Sequence, residues 1–174
     1  GFSMGVNNRN QIIDGSSIES GNVILGLPSS GFHSNGYSLI NEIIKDKVID
    51  DSLMEKLLVP TRIYVNEILS LKEVCSINGM AHITGGGLNE NLSRIANGMT
   101  LCVDKSKWSV PEIFEEIKAL GNIPEEEMFN VFNCGIGFCL VLDKENAKKA
   151  IEENSELIEI GFVSDRDEVD FKFI

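Results

Sequence analysis

A short apolar strand that runs into a polar, glycine-rich loop and then into a helix is the arrangement that most constrains this chain. Val23–Leu25 are consecutive branched apolar residues, which favours a buried strand. Residues 29–36 are almost entirely Ser, Gly, Asn and His, and helical spacing of apolar residues resumes at Tyr37. A helix start presents unpaired N–H groups, so this unit suits an anionic ligand. His33, within the loop, can change charge near neutral pH.

The same arrangement returns later in the chain. Residues 80–83 predict a short strand that carries His82, residues 84–87 are Thr-Gly-Gly-Gly, and apolar spacing from Leu88 predicts a short helix. The chain has only 2 histidines, and each lies beside one of these two loops. This coincidence is the main functional signal, and it predicts one site built from both units.

The charge of the chain limits its partners. Its 174 residues carry a formal net charge of −12, with a pI of about 4.6. Such acidity argues against binding to nucleic acid or to an anionic membrane surface. No apolar run approaches the roughly 20 residues that span a bilayer, and no signal peptide is recognisable. A phosphate-bearing small molecule remains possible if its site is made locally from N–H groups, Arg or a metal ion.

The four cysteines at positions 75, 102, 134 and 139 lack the spacing of metal or redox motifs. We expect free, packed thiols and therefore a reducing, cytoplasmic setting. The first residue is not Met and the chain opens in a strand-like run, so we expect a piece of a longer protein.

The remaining pattern predicts one α+β domain over residues 1–174, with a mixed sheet of about six strands packed against helices. Strands are predicted at residues 2–6, 11–13, 22–27, 80–83, 99–104, 135–142, 157–163 and 169–173. Helices are predicted at residues 37–45, 61–76 and 145–153. Two further helices are predicted to start at capping boxes at Ser52 and Ser109, and two more to begin at Leu88 and Pro124.

Five motifs, taken together, resemble one family. They are Gly26–Gly31, His33–Ser38, Pro60–Val65, Ala81–Gly87 and Phe132–Gly137. In this order they resemble the aminoimidazole ribonucleotide synthetases, or phosphoribosylformylglycinamidine cyclo-ligases, of purine biosynthesis. The resemblance covers the C-terminal half of that family only, so the N-terminal half, which carries ATP-binding and dimerisation functions, is absent from this chain. Phe32, Ser93 and Cys134 depart from the family pattern, but none removes a polar group from the site.

The resemblance implies an ATP-dependent ring closure. Formylglycinamidine ribonucleotide is activated by ATP and closes to aminoimidazole ribonucleotide, with ADP and phosphate as the other products. It also implies Mg²⁺, held mainly by the missing N-terminal domain, and a homodimer for the intact enzyme. We expect the isolated fragment to fold but to be inactive.

Site residues follow from the matching motifs. His33 and His82 are the candidate catalytic residues: His33 would contact the reacting amide and His82 would lie near the nucleotide. The candidate substrate- and phosphate-binding residues are Ser30, Gly31, Ser34, Asn35, Gly36, Thr84, Gly85, Gly86 and Gly87. We expect His33 to face a solvent-accessible cleft shared with the Thr84 loop. Arg62 is left outside this set, as either the partner of an acidic neighbour or a phosphate ligand.

No metal site is predicted within the chain, because two distant histidines and unpaired cysteines make a poor ligand set. Two other functions remain open. The chain could belong to another enzyme of the same superfamily, such as a phosphoryl transferase, or it could be a non-catalytic ligand-binding domain.

Overall fold

Six strands form one mixed sheet in the computed structural model, which describes residue 2 and residues 4–174. They are β1 (Val23–Pro28), β2 (Gly79–His82), β3 (Thr100–Val103), β4 (Ile136–Leu142), β5 (Ile158–Ser164) and β6 (Phe171–Phe173). Their order across the sheet is β2-β4-β1-β5-β3-β6. Neighbours run antiparallel except β3 and β6, which are parallel.

The described residues also form seven α-helices and two short 3₁₀ turns. The helices are α1 (Tyr37–Ile44), α2 (Asp51–Leu57), α3 (Val65–Val74), α4 (Gly87–Ser93), α5 (Glu112–Gly121), α6 (Glu125–Val131) and α7 (Lys144–Glu153). The 3₁₀ turns are Arg9–Gln11 and Lys105–Lys107. Within the same described part, no helix has the length and apolar character to cross a membrane. The predicted α+β class with a mixed sheet of six strands is confirmed.

Strand β1 lies in the middle of the sheet and is covered on both faces. Ile24 packs into a core cluster with Leu92 of α4, whereas Leu25 packs on the opposite face with Leu71 of α3 and Ala150 of α7. Because alternate side chains of a strand point to opposite faces, a strand buried on both sides must be apolar throughout. This is why residues 23–27 form a continuous apolar run.

A third core cluster lies where the loop after β1 meets helices α1, α2, α5 and α6. Phe32, Phe114 and Phe132 pack together there, with ring centroids 4.4 to 6.3 Å apart, and each is almost fully buried. Aromatic rings in such edge-to-face and tilted contacts hold their neighbours in fixed positions. Phe32 immediately precedes His33, so the packing of this cluster fixes the position of the loop that carries His33.

Two predicted strands near the start of the chain were wrong. Residue 2 and residues 4–6 lie outside any strand, and Ser3 lies outside the described residues. Residues 11–13 contain the end of a 3₁₀ turn instead of a return strand. Phe2, Met4 and Val6 have the alternation of a strand, but their side chains are exposed and no described strand pairs with them. A strand pattern forms a strand only where a neighbouring strand supplies hydrogen bonds.

Three helix starts also differ from the prediction. The N-cap of α5 is Pro111, and not the predicted Ser109. The cap of α2 is Asp50, whose carboxylate accepts a hydrogen bond from Leu53 N, and not Ser52. Helix α3 begins at Val65, four residues later than predicted. The residues before it lie outside the helix, where Arg62 N and the Tyr64 hydroxyl bond to other parts of the chain.

Candidate functional site

The sheet topology brings the two glycine-rich loops to the same edge. β1 and β2 each pair antiparallel with β4, so they run parallel to each other with one strand between them. Leu27 and His82, near their carboxyl ends, are both paired with Phe138. The loops that follow therefore start side by side. Asn35 Oδ1 accepts a hydrogen bond from Gly85 N at 3.1 Å and joins the two loops directly.

His33 lies inside this junction, and its side chain is only 3% exposed. The expectation that it faces a solvent-accessible cleft is therefore wrong. His33 and Ser34 have φ angles of 53° and 60°, in the left-handed region that non-glycine residues seldom adopt. These two residues reverse the direction of the loop, which places the imidazole ring in the interior. Strained backbone of this kind is held by the surrounding contacts and is enriched at functional sites.

The hydrogen bonds of His33 define its protonation state. Nε2 lies 3.0 Å from Ser30 N and 3.4 Å from Arg62 N, and backbone amides can only donate. Ser30 Oγ also lies 3.1 Å from Nε2, and its own hydrogen is donated to Pro60 O. The two amide donors favour Nε2 as the acceptor, with the hydrogen of the neutral ring on Nδ1. Nδ1 is buried without a partner among the described residues. Burial, followed by the nearby His82 and Arg62, lowers the pKa of His33 to about 4.

The second histidine has the opposite environment. His82 ends the edge strand β2, its side chain is exposed, and its ring centroid lies 6.1 Å from that of His33. The ring stacks on Phe138 at 6.0 Å, and Tyr64 lies 5.9 Å from each histidine ring. Tyr64 itself is fixed by a 2.8 Å bond from its hydroxyl to Pro28 O. The two predicted catalytic histidines are therefore neighbours, one buried and one exposed.

Gly137 of β4 supports both rings. A Cβ at this position would lie 2.5 Å from His33 Cε1 and still closer to the Tyr64 hydroxyl. Only a residue without a side chain lets the rings of His33 and Tyr64 rest on the sheet here. The groups that approach the backbone most closely here are therefore these two rings.

The residues missed by the sequence analysis hold the loops in place. Asn133, 1% exposed, accepts bonds from Ser29 Oγ at 2.8 Å and Gly135 N at 2.9 Å and donates to Gly31 O at 2.8 Å. Asn91 plays the same part for the second loop, donating to Gly87 O at 2.7 Å and accepting from Thr84 Oγ1 at 3.0 Å. Asn133 lies in the motif Phe132–Gly137, one of the five that resemble the family, and this motif could have identified it. No sequence signal pointed to Asn91.

Arg62 belongs to the site, although the sequence analysis left it out. Its guanidinium pairs with Glu67 at 3.0 Å and Glu156 at 2.6 Å and lies 5.2 Å from the centre of the Tyr64 ring. Of the two roles left open for it, the structure shows the pairing with acidic neighbours. These ion pairs also fix the Arg62 backbone, whose N–H bonds to His33.

A family model described as AIR synthase related protein, C-terminal domain, matches residues 19–174. The chain belongs to this family. Its relatives include the phosphoribosylformylglycinamidine cyclo-ligase of Geotalea daltonii, 49% identical, with 94% of this chain and 50% of the relative covered. The enzyme of the same name from Clostridium perfringens is 42% identical, with 94% and 52% covered. The chain thus spans about half the length of the curated relatives it matches.

Solved structures with this fold are more distant. Escherichia coli HypE, a hydrogenase maturation protein, superposes with a TM-score of 0.64 at 16% identity, covering 94% of this chain and 49% of HypE. Thiamine-monophosphate kinase from Stenotrophomonas maltophilia gives a TM-score of 0.63 at 15% identity, covering 96% and 54%. At these identities the likeness shows a shared fold. The relatives above 40% identity are named as cyclo-ligases, which favours the ligase over the phosphoryl transferase alternative.

In this AIR synthase C-terminal domain, several loop amides expected to hold phosphate are already bonded. Asn35 N donates to Phe32 O at 3.0 Å, Gly85 N to Asn35 Oδ1 at 3.1 Å, and Gly87 N to Thr84 O at 3.2 Å. A Cβ on Gly86 would overlap the Glu90 carboxylate, which lies beside the triple glycine and pairs with Arg94 at 3.3 Å. In the His33 loop, the amides of Ser34 and Gly36 have no backbone partner among the described residues.

A metal site is not formed by this domain within its described residues, where no three His, Cys, Asp or Glu side chains cluster. The donors of the site are imidazole, hydroxyl and amide groups, and the carboxylates near it are paired, Glu67 and Glu156 with Arg62 and Glu90 with Arg94. Mg²⁺ favours carboxylate and phosphate oxygens. The residues present therefore do not fit Mg²⁺.

Proposed function

We propose that this chain is the C-terminal half of a phosphoribosylformylglycinamidine cyclo-ligase. The γ-phosphoryl group of ATP would be transferred to the formyl oxygen of formylglycinamidine ribonucleotide. The amidine nitrogen would then attack the activated carbon, lose a proton and displace phosphate, giving aminoimidazole ribonucleotide. The observation that carries the proposal is the meeting of the two histidine loops, joined by Asn35 and Gly85, in a chain whose relatives are named for this reaction.

His33 is proposed as the hydrogen-bond donor to the reacting amide. With a pKa of about 4 the ring is neutral near pH 7, so it is a weak base there. Its Nδ1–H has no partner within the described chain. Because this atom is buried, the loop that covers it would have to move aside for Nδ1–H to donate to the formyl oxygen as negative charge develops there. Of the two roles considered for an imidazole here, donor and proton acceptor, the burial of His33 supports the first.

Nucleotide binding is proposed on the side of His82. This ring is exposed and, with Tyr64 and Phe138, lines a groove of about 520 Å³. Support for ATP comes from proteins of the same fold, since one HypE structure is described as a complex with ATP and one thiamine-monophosphate kinase structure as a complex with AMPPCP and TMP. Mg²⁺ would accompany ATP and would be held by the N-terminal half.

Both loops are proposed to contribute phosphate- and substrate-binding residues, and the anion contacts are assigned to the first loop. Ser34 and Gly36 have amides without a backbone partner among the described residues, and Ser34 is exposed. We place the anionic groups of the substrate there. Ser30, Gly31, Asn35, Thr84, Gly85, Gly86 and Gly87 would shape the site around them. Ser30 and Asn35 already hold His33 and Gly85.

The chain is proposed to be one domain, residues 1–174, of a two-domain cytoplasmic enzyme that forms a homodimer. The N-terminal domain of the family would supply most of the ATP and metal contacts. The isolated chain is accordingly expected to be inactive. Its net charge of −12 is consistent with a partner that is neither nucleic acid nor an anionic membrane.

The test is ring closure by the intact enzyme carrying His33→Ala. We expect turnover to fall by about 10²-fold, as when one positioned hydrogen-bonding group is removed from an active site. Ser52→Ala, at an exposed position in helix α2, is the matched control and should leave turnover unchanged. Near-normal turnover of His33→Ala would contradict the role of this residue. ATP-dependent phosphorylation of a substrate without ring closure would favour the phosphoryl transferase.

A further inference from the structure

Residues 60–64 lie against the His33 loop without belonging to a helix or a strand. Two hydrogen bonds join this segment to the loop. Ser30 Oγ donates to Pro60 O at 2.7 Å, and Arg62 N donates to His33 Nε2 at 3.4 Å. Because no helical or strand pattern fixes the backbone of the segment, its side chains must hold it in place. The position of the Arg62 amide at His33 therefore depends on those side chains.

The guanidinium group of Arg62 fixes the segment from its other side. Its Nη2 donates to Glu67 Oε1 at 3.0 Å and to Glu156 Oε2 at 2.6 Å. Nε and Nη1 add longer bonds of 3.3 and 3.4 Å to the same two carboxylates. A planar guanidinium binds carboxylates in a fixed geometry that the single ammonium of a lysine does not reproduce. The two carboxylates therefore set the orientation of Arg62, in addition to balancing its charge.

The groups that bind Arg62 come from three parts of the fold. Glu67 lies in the first turn of α3, and Glu156 lies between α7 and β5. Pro28 O, at the end of β1, accepts hydrogen bonds from Arg62 Nη1 at 3.4 Å and from the Tyr64 hydroxyl at 2.8 Å. A single exposed ion pair contributes little, but a guanidinium shared between several elements forms a network that restricts their positions. The segment is thus tied to α3, to the α7–β5 connection and to the strand that leads into the His33 loop.

The choice of ring nitrogen that carries the hydrogen of His33 depends on this segment. Ser30 Oγ, 3.1 Å from Nε2, could accept a hydrogen from that nitrogen. Two amides oppose this arrangement by donating to Nε2 themselves. The amide of Ser30 belongs to the loop, whereas the amide of Arg62 reaches the ring from outside it. Loss of the Arg62 contact would remove one of the two opposing donors.

We propose that Glu67 and Glu156 are positioning residues for His33 and that they act through Arg62. They hold the Arg62 amide at Nε2, which keeps the hydrogen of the neutral ring on Nδ1 and keeps water away from this side of the ring. The inference concerns how His33 is held. It bears on the reaction only through the donor role of Nδ1–H, and in that respect it rests on the proposed function.

Charge and position predict opposite effects when the two carboxylates are neutralised. Arg62 would lose its compensating charges, and a nearby positive charge lowers the pKa of a histidine. Release of the segment would instead admit water to the ring, which raises the pKa of His33 towards its ordinary value of 6.5. The charged or titratable groups around the ring are Arg62, His82 and Tyr64, with Glu67 and Glu156 behind Arg62. The sign of the change separates the two explanations.

Long-range proton–nitrogen NMR of the 174-residue chain measures both the tautomer and the pKa of His33. The chain has 2 histidines, and His82→Gln assigns their signals. Glu67→Gln combined with Glu156→Gln should raise the pKa of His33 and move part of the neutral ring to the Nε2–H form. Arg62→Lys, which keeps the positive charge and loses the guanidinium geometry, should do the same.

The matched control is Glu73→Gln combined with Glu152→Gln, which removes two exposed carboxylates from α3 and α7. It should leave the tautomer and the pKa of His33 unchanged. A lower or unchanged pKa of His33 in the Glu67 and Glu156 variant overturns the proposal. A ring hydrogen that stays wholly on Nδ1 in that variant overturns it as well.

Turnover by the intact protein then separates this inference from the proposed function. The Glu67 and Glu156 variant should lower kcat by about tenfold and change KM little, as expected when a reacting group is misplaced. Normal kcat together with a changed tautomer would support the positioning role and contradict the donor role of His33. A lower kcat with an unchanged tautomer would mean that Arg62 acts on the substrate directly, and the positioning role would be wrong.

Discussion

The two strand–loop–helix units have similar sequences but different environments in the fold. The first follows β1, a central strand, and its His33 is buried, neutral and hydrogen-bonded. The second follows β2, an edge strand, and its His82 is exposed on a groove. The difference comes from position in the sheet, since a loop after a central strand is flanked by other loops on both sides. Similar motifs can therefore supply a buried donor and an exposed ring to one site.

The two loops also differ in how firmly they are held. The backbone partners of Asn133, Gly31 and Gly135, are buried, and its third partner Ser29 is half-buried. Asn91 and its partner Gly87 are buried too, but its other loop partners Thr84 and Gly85 are partly or fully exposed. Water can replace a lost partner at the second loop and has less access to the first. The first loop should therefore be more sensitive to substitution.

The largest expected effect is at these two asparagines. Asn133→Ala removes three hydrogen bonds, leaves buried partners unsatisfied and opens a cavity, so we expect a loss of about 3 kcal/mol in unfolding free energy. Asn91→Ala should lose about 1 kcal/mol. Urea unfolding of the chain measures both, with the exposed Asn130→Ala as control. Equal losses at the two sites would remove the proposed difference between the loops.

A methyl group at Gly137 tests the support beneath the first loop. Gly137→Ala would force apart His33 and Tyr64, and we expect a loss of about 2 kcal/mol, typical of overpacking a filled site. Gly85→Ala is the matched control in the second loop, because a Cβ there meets nothing within 4 Å. Thermal unfolding should separate the two variants. A tolerated Gly137→Ala would mean that the rings do not rest on the sheet as described.

The pH dependence of stability tests the burial of His33. Its pKa is near 6.5 when unfolded and about 4 when folded. Protons therefore bind the unfolded chain more readily, and the contribution of His33 is complete above pH 6.5 and lost as the pH falls towards 4. The change should be on the order of 2 kcal/mol. His33→Gln should flatten the stability profile in this window relative to His82→Gln. If the stability profiles of both variants have the same slope, a group other than His33 accounts for the pH dependence.

The smallest effect concerns the sheet beneath both loops. Cys139 of β4 is paired with Gly26 of β1 and Ala81 of β2, and burial raises the pKa of its thiol. All four cysteines are free and buried, as the sequence predicted. We expect negligible labelling of Cys139 in the native chain and four reactive thiols after denaturation without reductant. Rapid native labelling of Cys139 would show that the sheet opens beneath the loops.

Local signals in the sequence determined much of this fold. The apolar run of β1, the long apolar strand β4 and helix α7 were all predicted close to their observed bounds. In each case the deciding interactions lie within the element or in its own burial pattern. The residues of both loops were likewise identified, because Gly, Ser, Asn and His in such density have few other uses.

The tertiary structure alone decided what those residues do to one another. The strand pattern of Phe2, Met4 and Val6 remained unpaired, because a strand needs a neighbour that this sheet does not offer it. The burial of His33 depends on Arg62 and Gly137, which lie far from it in the sequence. The meeting of the two loops depends on β4 lying between β1 and β2. Strand order is set by the packing of the whole chain, and no local pattern encodes it.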